Sequence, residues 1–252
     1  MDDARVALVT GGSRGLGRAI VEKLAADGYR VLFTFAASAS GAAGVEAAVR
    51  VAGGQARSVK ADVAERGSAA AVVQEALRAF GRIDVLVNNA GTHLPGVTIA
   101  DTSFEEFDRV LRVNLYGTFN MVQAVLPHMR GRGGGNIVNL SSNITSRMPA
   151  QNCAYTVSKV GVEAITRILS KEEGRNGIRV NAVAPGPIRT DMLEETMVKI
   201  GPERAEAFIR SVPMGRKGEP REIADAVAWL VSDAASYVTG QVVFVNGGGP
   251  GN

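Results

Sequence analysis

The chain has 252 residues, of which 46% are apolar and 21% charged, and its formal net charge is +3 with a pI near 9.2. That composition supplies a core for one large α/β domain spanning 1–252 and excludes a disordered chain. Aromatics are only 5% and no basic run interleaves with them, so nucleic-acid binding finds no support. No apolar run is long enough to span a bilayer. The single cysteine, Cys153, excludes an internal disulfide and suits a reducing compartment. The start, Met1-Asp2-Asp3-Ala4-Arg5, runs straight into a strand-like stretch without a signal-peptide pattern, so the expected location is cytoplasmic.

Short β-branched runs alternate with longer helical stretches. The spacing predicts strands at Arg5–Val9, Arg30–Phe35, Ala56–Ala61, Ile83–Val87, Asn136–Leu140, Arg179–Val183 and Gln241–Val245. Most lack a period-two polar face, as expected of strands buried on both sides. Helices are predicted at Leu16–Asp27, Ala42–Ala52, Gly67–Phe80, Ser103–Met129, Cys153–Arg175 and Glu219–Ser232. The alternation predicts a doubly wound α/β fold, a seven-stranded parallel sheet with helices on both faces. The Gly131–Gly135 patch reads as a surface turn. The segment around 190–213 is longer than a connection needs and follows a strand's C-terminal end, where ligands bind in open α/β sheets. It is expected to be a lid.

Thr10-Gly11-Gly12-Ser13-Arg14-Gly15-Leu16-Gly17 follows the first strand and opens the first helix. Glycines there let the backbone approach a ligand, and the helix N-terminus suits a pyrophosphate. The second strand leads into Ala36-Ala37-Ser38-Ala39-Ser40 with no carboxylate to grip a ribose 2′-hydroxyl. Arg14 and Ser38 instead offer charge and donors to a 2′-phosphate, which favours NADP(H) over NAD(H). The competing reading leaves Arg14 in solvent and the cofactors equivalent.

Tyr155 and Lys159 stand one helical turn apart on one helix face. An ammonium beside a phenol stabilises the phenolate, so the expectation is a lowered Tyr155 pKa and a phenol that exchanges protons with a carbonyl oxygen. His93 reads as a loop histidine. His128, near a helix C-terminus, suits a partly positive imidazole. Two isolated histidines and one cysteine make no metal site.

Together these motifs resemble the short-chain dehydrogenase/reductase family, and most of all its 3-oxoacyl-carrier-protein reductase-like branch. Thr10-Gly-x-x-x-Gly15-x-Gly17 is similar to the family's cofactor loop, and Asp62-Val63 to its adenine-side contact. Asn88-Asn89-Ala90-Gly91 resembles the signature that stabilises the sheet and touches the cofactor. Pro185-Gly186-Pro187-Ile188-Arg189-Thr190 resembles the loop that holds the nicotinamide. The resemblance implies a catalytic set of Asn114, Ser142, Tyr155 and Lys159. Tyr155 would be the acid in reduction, and Ser142 a donor to the substrate oxygen. Lys159 would also hold the nicotinamide ribose, and Asn114 a water linking the lysine to solvent. Ser142 as a backbone cap and Asn114 as a helix-bending core residue are the structural alternatives.

The expected activity is NADPH-dependent reduction of a small-molecule ketone or a 3-oxoacyl thioester. An NAD-linked alcohol dehydrogenase is the alternative, and a silent dinucleotide-binding scaffold is a weaker one. Arg130, Arg132 and Arg175 are candidates for docking an acyl carrier. Asn143–Asn152 and Met192–Ser211 would shape the pocket. The helix from Cys153 to Leu169 is apolar almost all round, which predicts burial on every side. One face would then meet a partner subunit, as the family's homotetramers (dimers of dimers) imply.

Overall fold

Seven β-branched runs pair side by side in the computed structural model, which describes residues 4–249; the expectations for Met1–Asp3 and Pro250–Asn252 lie outside the described residues. The strands are β1 (Val6–Val9), β2 (Arg30–Phe35), β3 (Gln55–Lys60), β4 (Val85–Asn88), β5 (Gly135–Leu140), β6 (Ile178–Pro185) and β7 (Val242–Val245). All pairings are parallel, in the order β3-β2-β1-β4-β5-β6-β7. This is the expected Rossmann-type fold, with strand ends shifted by one or two residues. β1 and β4 are buried along their whole length. The edge strand β3 alternates exposed and half-buried positions, so its polar residues face water.

Helices α1 (Gly15–Ala26), α2 (Ala39–Val51), α3 (Ser68–Phe80), α4 (Phe104–Leu111), α5 (Gly117–Arg132), α6 (Ile144–Arg147), α7 (Cys153–Glu173), α8 (Asp191–Ile200), α9 (Pro202–Arg210) and α10 (Pro220–Val231) complete the chain. Two apolar clusters form, one on each face of the sheet. Phe33, Ile20 and Leu24 anchor the first, with α1, α2 and α10. Leu8, Leu86 and Met129 anchor the second, with α3 and α5. Fully burying each such side chain contributes about 1.5–3 kcal/mol.

The single helix expected over Ser103–Met129 is in fact broken. A π-helical turn, Arg112–Tyr116, separates α4 from α5. At its centre the Asn114 carbonyl accepts a hydrogen bond from the Thr118 hydroxyl at 2.8 Å. Side-chain bonds to the helix ladder are among the causes of such local widening. The sheet-facing side of α7 is more polar than expected. Against the sheet it buries Ala154, Val162 and Leu169 together with polar Ser158, Lys159, Glu163 and Thr166. Val157, Val160 and Ile168 lie on its exposed side, Ile168 at 55%.

The three arginines considered for carrier docking lie at the wrong edge of the sheet. Arg130 and Arg132 end α5 just before β5 begins, and Arg175 just precedes β6. They flank strand starts, whereas the glycine loop and the Tyr155 region lie at strand ends. Arg130 is committed to Glu173, whose side chain is 1% exposed. That hydrogen-bonded pairing holds the Glu173 carboxyl below its ordinary range. Arg130→Ala would leave the buried carboxylate with only Asn176. The expected loss is about 1–3 kcal/mol, or a few degrees in melting temperature at roughly 2–4 °C per kcal/mol for a chain this size. A depressed carboxyl pKa adds stability only while the group is ionised. The deficit should therefore be full above the ordinary glutamate range and shrink as pH falls through the lowered Glu173 value. Calorimetry at neutral and acid pH measures this, and equal melting at neutral pH would show that the pair contributes nothing.

Candidate active site

The order of the sheet reverses at β1 and β4, which are neighbours although the chain leaves them in opposite directions. Open α/β sheets carry their binding crevice at such a switch point. The loop after β1 is shaped for close approach. Gly15 has φ +55°, and a Cβ on Gly17 would collide with the Gly11 carbonyl oxygen. Asn89 and Thr10, which the sequence reading left without individual roles, hold this loop. Asn89 Nδ2 donates to the carbonyls of Thr10 (2.8 Å) and Gly11 (3.1 Å). The Thr10 hydroxyl accepts the N–H groups of Asn89 and Ala90, each at 3.0 Å.

The α1 N-terminus has no side-chain cap and no acid in its first turn. Its free N–H groups and positive dipole end fit a pyrophosphate. Ser13, Leu16 and Gly11 line that turn. The remaining candidate cofactor contacts divide between this loop and its surroundings. Ser38 caps α2, accepting the Gly41 N–H at 3.2 Å, and Ala36 beside it is exposed. Arg14 forms an exposed ion pair with Asp191 at 3.4 Å. Asp62 caps the Ala64 N–H and borders a cavity of about 550 Å³ shared with Phe104 and Arg112 of the α4 region. Val63 is buried against Gly117. Asn88 Nδ2 donates to Asn139 at 2.9 Å, while its buried Oδ1 has no protein partner. Pro185 ends β6, and Gly186 bonds Val245. Ile188 is buried, and Thr190 caps α8 beside Gly15.

The candidate catalytic residues converge at the ends of β4 and β5. Ser142 is the side chain that acts on the Tyr155 phenol, pulling its pKa down, and its hydroxyl accepts the Ile144 N–H at 3.3 Å. Its neighbour Ser141 turns away to Glu163, at 2.7 Å. Lys159 is buried, donates to the Leu140 carbonyl at 2.6 Å and sits 5.7 Å from the Tyr155 ring centroid. Burial pushes the lysine down to about 8. The expected lowering of the Tyr155 pKa is not found. Burial raises it, opposed only by Ser142. The reason is distance and desolvation: the ammonium is turned to Leu140 and the phenol is taken from water.

Asn114 is buried, and its side chain is fully engaged. Oδ1 accepts the Thr92 N–H at 2.8 Å, and Nδ2 donates to Thr92 O and to Ser158 Oγ at 2.9 and 3.0 Å. Gly91 faces the gap beside it. A Cβ there would lie 3.4 Å from Asn114 Oδ1 and 3.7 Å from Lys159 Nζ. Neither histidine joins this group. His128 accepts the Ile83 N–H at 3.1 Å, and burial lowers its pKa, so a neutral structural imidazole replaces the partly positive one expected. His93 meets the Thr196 hydroxyl of α8 at 3.3 Å.

Glu163 is the residue that sequence reasoning missed here. Its Oε1 accepts from Ser141 and, at 2.8 Å, from Thr145. A lone acid amid the apolar run of α7 was the available signal. Between Ser142 and Tyr155 the chain is strained, with Met148 at φ 43° and Gln151 at φ 62°. Such outliers persist only where their surroundings enforce them. Here Gln151 O accepts the Gly96 N–H at 3.0 Å, and Asn152 pairs with Val97.

Residues 11–249 match the family model described as enoyl-(acyl carrier protein) reductase. A 3-oxoacyl-[acyl-carrier-protein] reductase of Staphylococcus aureus is 38% identical over 98% of this chain and 99% of its own length. Two solved structures superpose closely. A blue fluorescent protein from a metagenomic library, in complex with NADPH, has TM-score 0.89 and 37% identity, covering 97% of each chain. A 7α-hydroxysteroid dehydrogenase complexed with NADH and 7-oxo glycochenodeoxycholic acid has TM-score 0.93 and 32% identity, covering 99% of this chain and 96% of that one. The chain belongs to the short-chain dehydrogenase/reductase family.

Proposed function

We propose that this oxidoreductase is an NADP(H)-dependent reductase of a small ketone, working through Tyr155, Ser142 and Lys159. The observation that carries the reading is a half-buried Tyr155 whose phenol is influenced by Ser142, one helical turn from a buried lysine. Hydride exchange with a carbonyl carbon is the chemistry that a nicotinamide cofactor supplies when bound. Gly11, Ser13, Gly15, Leu16 and Gly17 would hold its pyrophosphate. Asn88, Ala90, Gly91, Pro185, Gly186, Ile188 and Thr190 would border its nicotinamide half. Tyr155 gives its proton to the carbonyl oxygen. Its raised pKa keeps that proton in place at neutral pH. Ser142 donates to the same oxygen as charge grows there. Lys159 resupplies Tyr155 on the side of the Gly91 gap, and Asn114 fixes the Thr92 turn against α7. Segment 190–213 is the lid. A free ketone fits better than a carrier-bound thioester, because Arg130, Arg132 and Arg175 flank the opposite edge of the sheet.

An NADPH-consumption screen over ketones, quinones, sugars and 3-oxoacyl thioesters tests this reading. With a substrate whose chemical step is rate-limiting, Tyr155→Phe should lower turnover by about 10²-fold or more. Wild-type reduction should decline above pH about 8, where Lys159 surrenders its proton. Undiminished turnover in the variant would remove Tyr155 from the mechanism, and a profile flat across that pH would remove Lys159 as its proton source.

Cofactor choice rests on Arg14 and on the absence of any acid between Phe33 and Gly44. Arg14 and Asp191 are 73% and 71% exposed, and such a pair is worth about 0–1 kcal/mol. A charge-assisted bond to a 2′-phosphate is worth roughly 1.5–3 kcal/mol. The exchange therefore favours NADPH, by at least about tenfold in kcat/KM. Arg14→Ala should erase most of that preference, and Asp191→Asn should widen it by freeing the arginine. Equal use of both cofactors by the wild type would defeat the argument.

Val157, Val160 and Ile168 on α7, Tyr116 at the end of the π-helical turn and Phe119 in α5 are exposed apolar residues, and α7 packs against that turn. Homotetramer formation through these faces is the proposed assembly. Light scattering should return a tetramer, a smaller species for Ile168→Glu, and a monomeric wild type would refute the assignment.

A further inference from the structure

Three side chains of α7 grip the end of β5 in succession. Thr166 Oγ1 accepts the Asn139 side-chain amide at 2.9 Å, Lys159 donates to the Leu140 carbonyl at 2.6 Å, and Glu163 Oε1 accepts the Ser141 hydroxyl at 2.7 Å. Lys159, Glu163 and Thr166 are spaced by four and three residues, which puts them on one helix face, and all three are buried. Tyr155 rides on α7 and Ser142 follows β5, so this row of bonds sets the one against the other.

Glu163 reaches furthest toward Ser142. The same Oε1 accepts the Thr145 hydroxyl at 2.8 Å, and that hydroxyl also lies 2.9 Å from the Ser142 carbonyl. The carboxylate thus holds the residue before Ser142 and, through Thr145, the backbone of Ser142 itself. The other supports of this turn come from the sheet. The N–H groups of Ser141 and Asn143 donate to the Val183 and Pro185 carbonyls at 2.7 and 2.9 Å, which fixes the turn to β6 but not to α7. Lys159 also ties β5 to α7, yet it exchanges a proton with Tyr155 in the proposed reaction. Glu163 takes no such part. It stands two turns, about 12 Å, beyond Tyr155 along the unbroken α7, and its Oε2 lies 3.5 Å from the exposed Arg167. An apolar side chain at this buried position would be easier to withdraw from water.

Resting on the reductase reading, we propose that Glu163 is a positioning residue: by clamping Ser141 and Thr145 to α7, it sets the Ser142 hydroxyl within reach of the carbonyl oxygen that Tyr155 protonates. The Ser142 hydroxyl accepts from the Ile144 N–H, which leaves its own proton free for that oxygen. Hydroxyl and phenol come from two different elements and must meet one substrate atom. In such an arrangement a misplacement of about 1 Å can lower the rate by about 10²-fold. Glutamine at this position would keep the clamp, because its amide oxygen accepts the same two hydroxyls. Leucine would fill the space and remove both bonds.

The test is a double-mutant cycle between Glu163 and Ser142, run with the ketone reduced fastest in the NADPH screen. The rate is read as single-turnover loss of NADPH absorbance and normalised to sites counted by NADPH binding, so that only folded enzyme enters. Glu163→Leu should lower this rate by about tenfold or more while NADPH affinity stays near that of the wild type. Glu163→Gln should keep most of the rate. In the Ser142→Ala background Glu163→Leu should change little, because the group it positions is gone. Thr145→Val, which cuts the tie to the Ser142 carbonyl, should show the same dependence on Ser142 and decides the matter where Glu163→Leu does not fold. An undiminished rate in Glu163→Leu, or the same fold-loss with and without the Ser142 hydroxyl, would overturn the proposal and leave the carboxylate a role in folding alone. A Glu163→Gln variant as slow as Glu163→Leu would also overturn it, because charge rather than the clamp would then matter. No reduction of any ketone, or a wild-type rate in Ser142→Ala alone, would sink the reading on which the proposal rests.

Discussion

Everything in the crevice depends on the knot that Thr10 and Asn89 tie between β1 and β4. These strands diverge at the switch point, and without cross-bonds the two loops would separate. The Thr10 hydroxyl accepts two N–H groups from the β4 loop, and Asn89 returns two bonds to the β1 loop. Each such bond nets about 0.5–1.5 kcal/mol, and more is lost when a buried partner is orphaned. The knot does more than stabilise. It sets the glycine loop at a fixed distance from Gly91, and so from Lys159 and Asn114. The cofactor cradle and the proton-handling residues are thereby one rigid unit.

The seven strands were legible because parallel strands buried on both faces read as uninterrupted β-branched runs, and the chain supplies seven. The glycine loop was legible because its glycines answer to a local demand of the backbone. What sequence could not resolve was competition for partners. Asn114 sits in a stretch with unbroken helical periodicity, and only the Thr118 hydroxyl reaching its carbonyl reveals the π-helical turn. Periodicity records faces, not hydrogen bonds. Ser38 and Arg14 read as phosphate donors, yet one caps a helix and the other pairs with an acid 177 residues away. The three basic residues near α5 and β6 are close in sequence to the site helices, but a parallel strand separates its two ends by its full length. Proximity in sequence therefore misplaced them.

Burial of Lys159 shows how stability is traded at this site. Withdrawing an ammonium from water disfavours its charged form, hence its pKa of about 8. A single carbonyl, Leu140 O, compensates in part. An apolar residue would be easier to fold there. The same desolvation raises the phenol above it. The simple picture of a lysine lowering its tyrosine gives way to one in which burial makes the lysine the stronger acid of the two. Proton transfer from the ammonium to a phenolate then runs downhill.

A division of labour runs across the sheet. Along the edge where strands begin, arginines are spent on stability: Arg82 with Asp84, Arg130 with Glu173, and Arg179 on three carbonyls. Along the edge where strands end, Arg14 has only an exposed partner and Arg147 only an aromatic ring. The difference is not one of residue type, since the same guanidinium serves both edges. It is one of satisfaction. A fork whose hydrogen bonds are already made has little to offer a ligand, while one whose bonds remain to be made gains from binding. That is why Arg14, held only by an exposed acid, is the arginine on which cofactor choice turns.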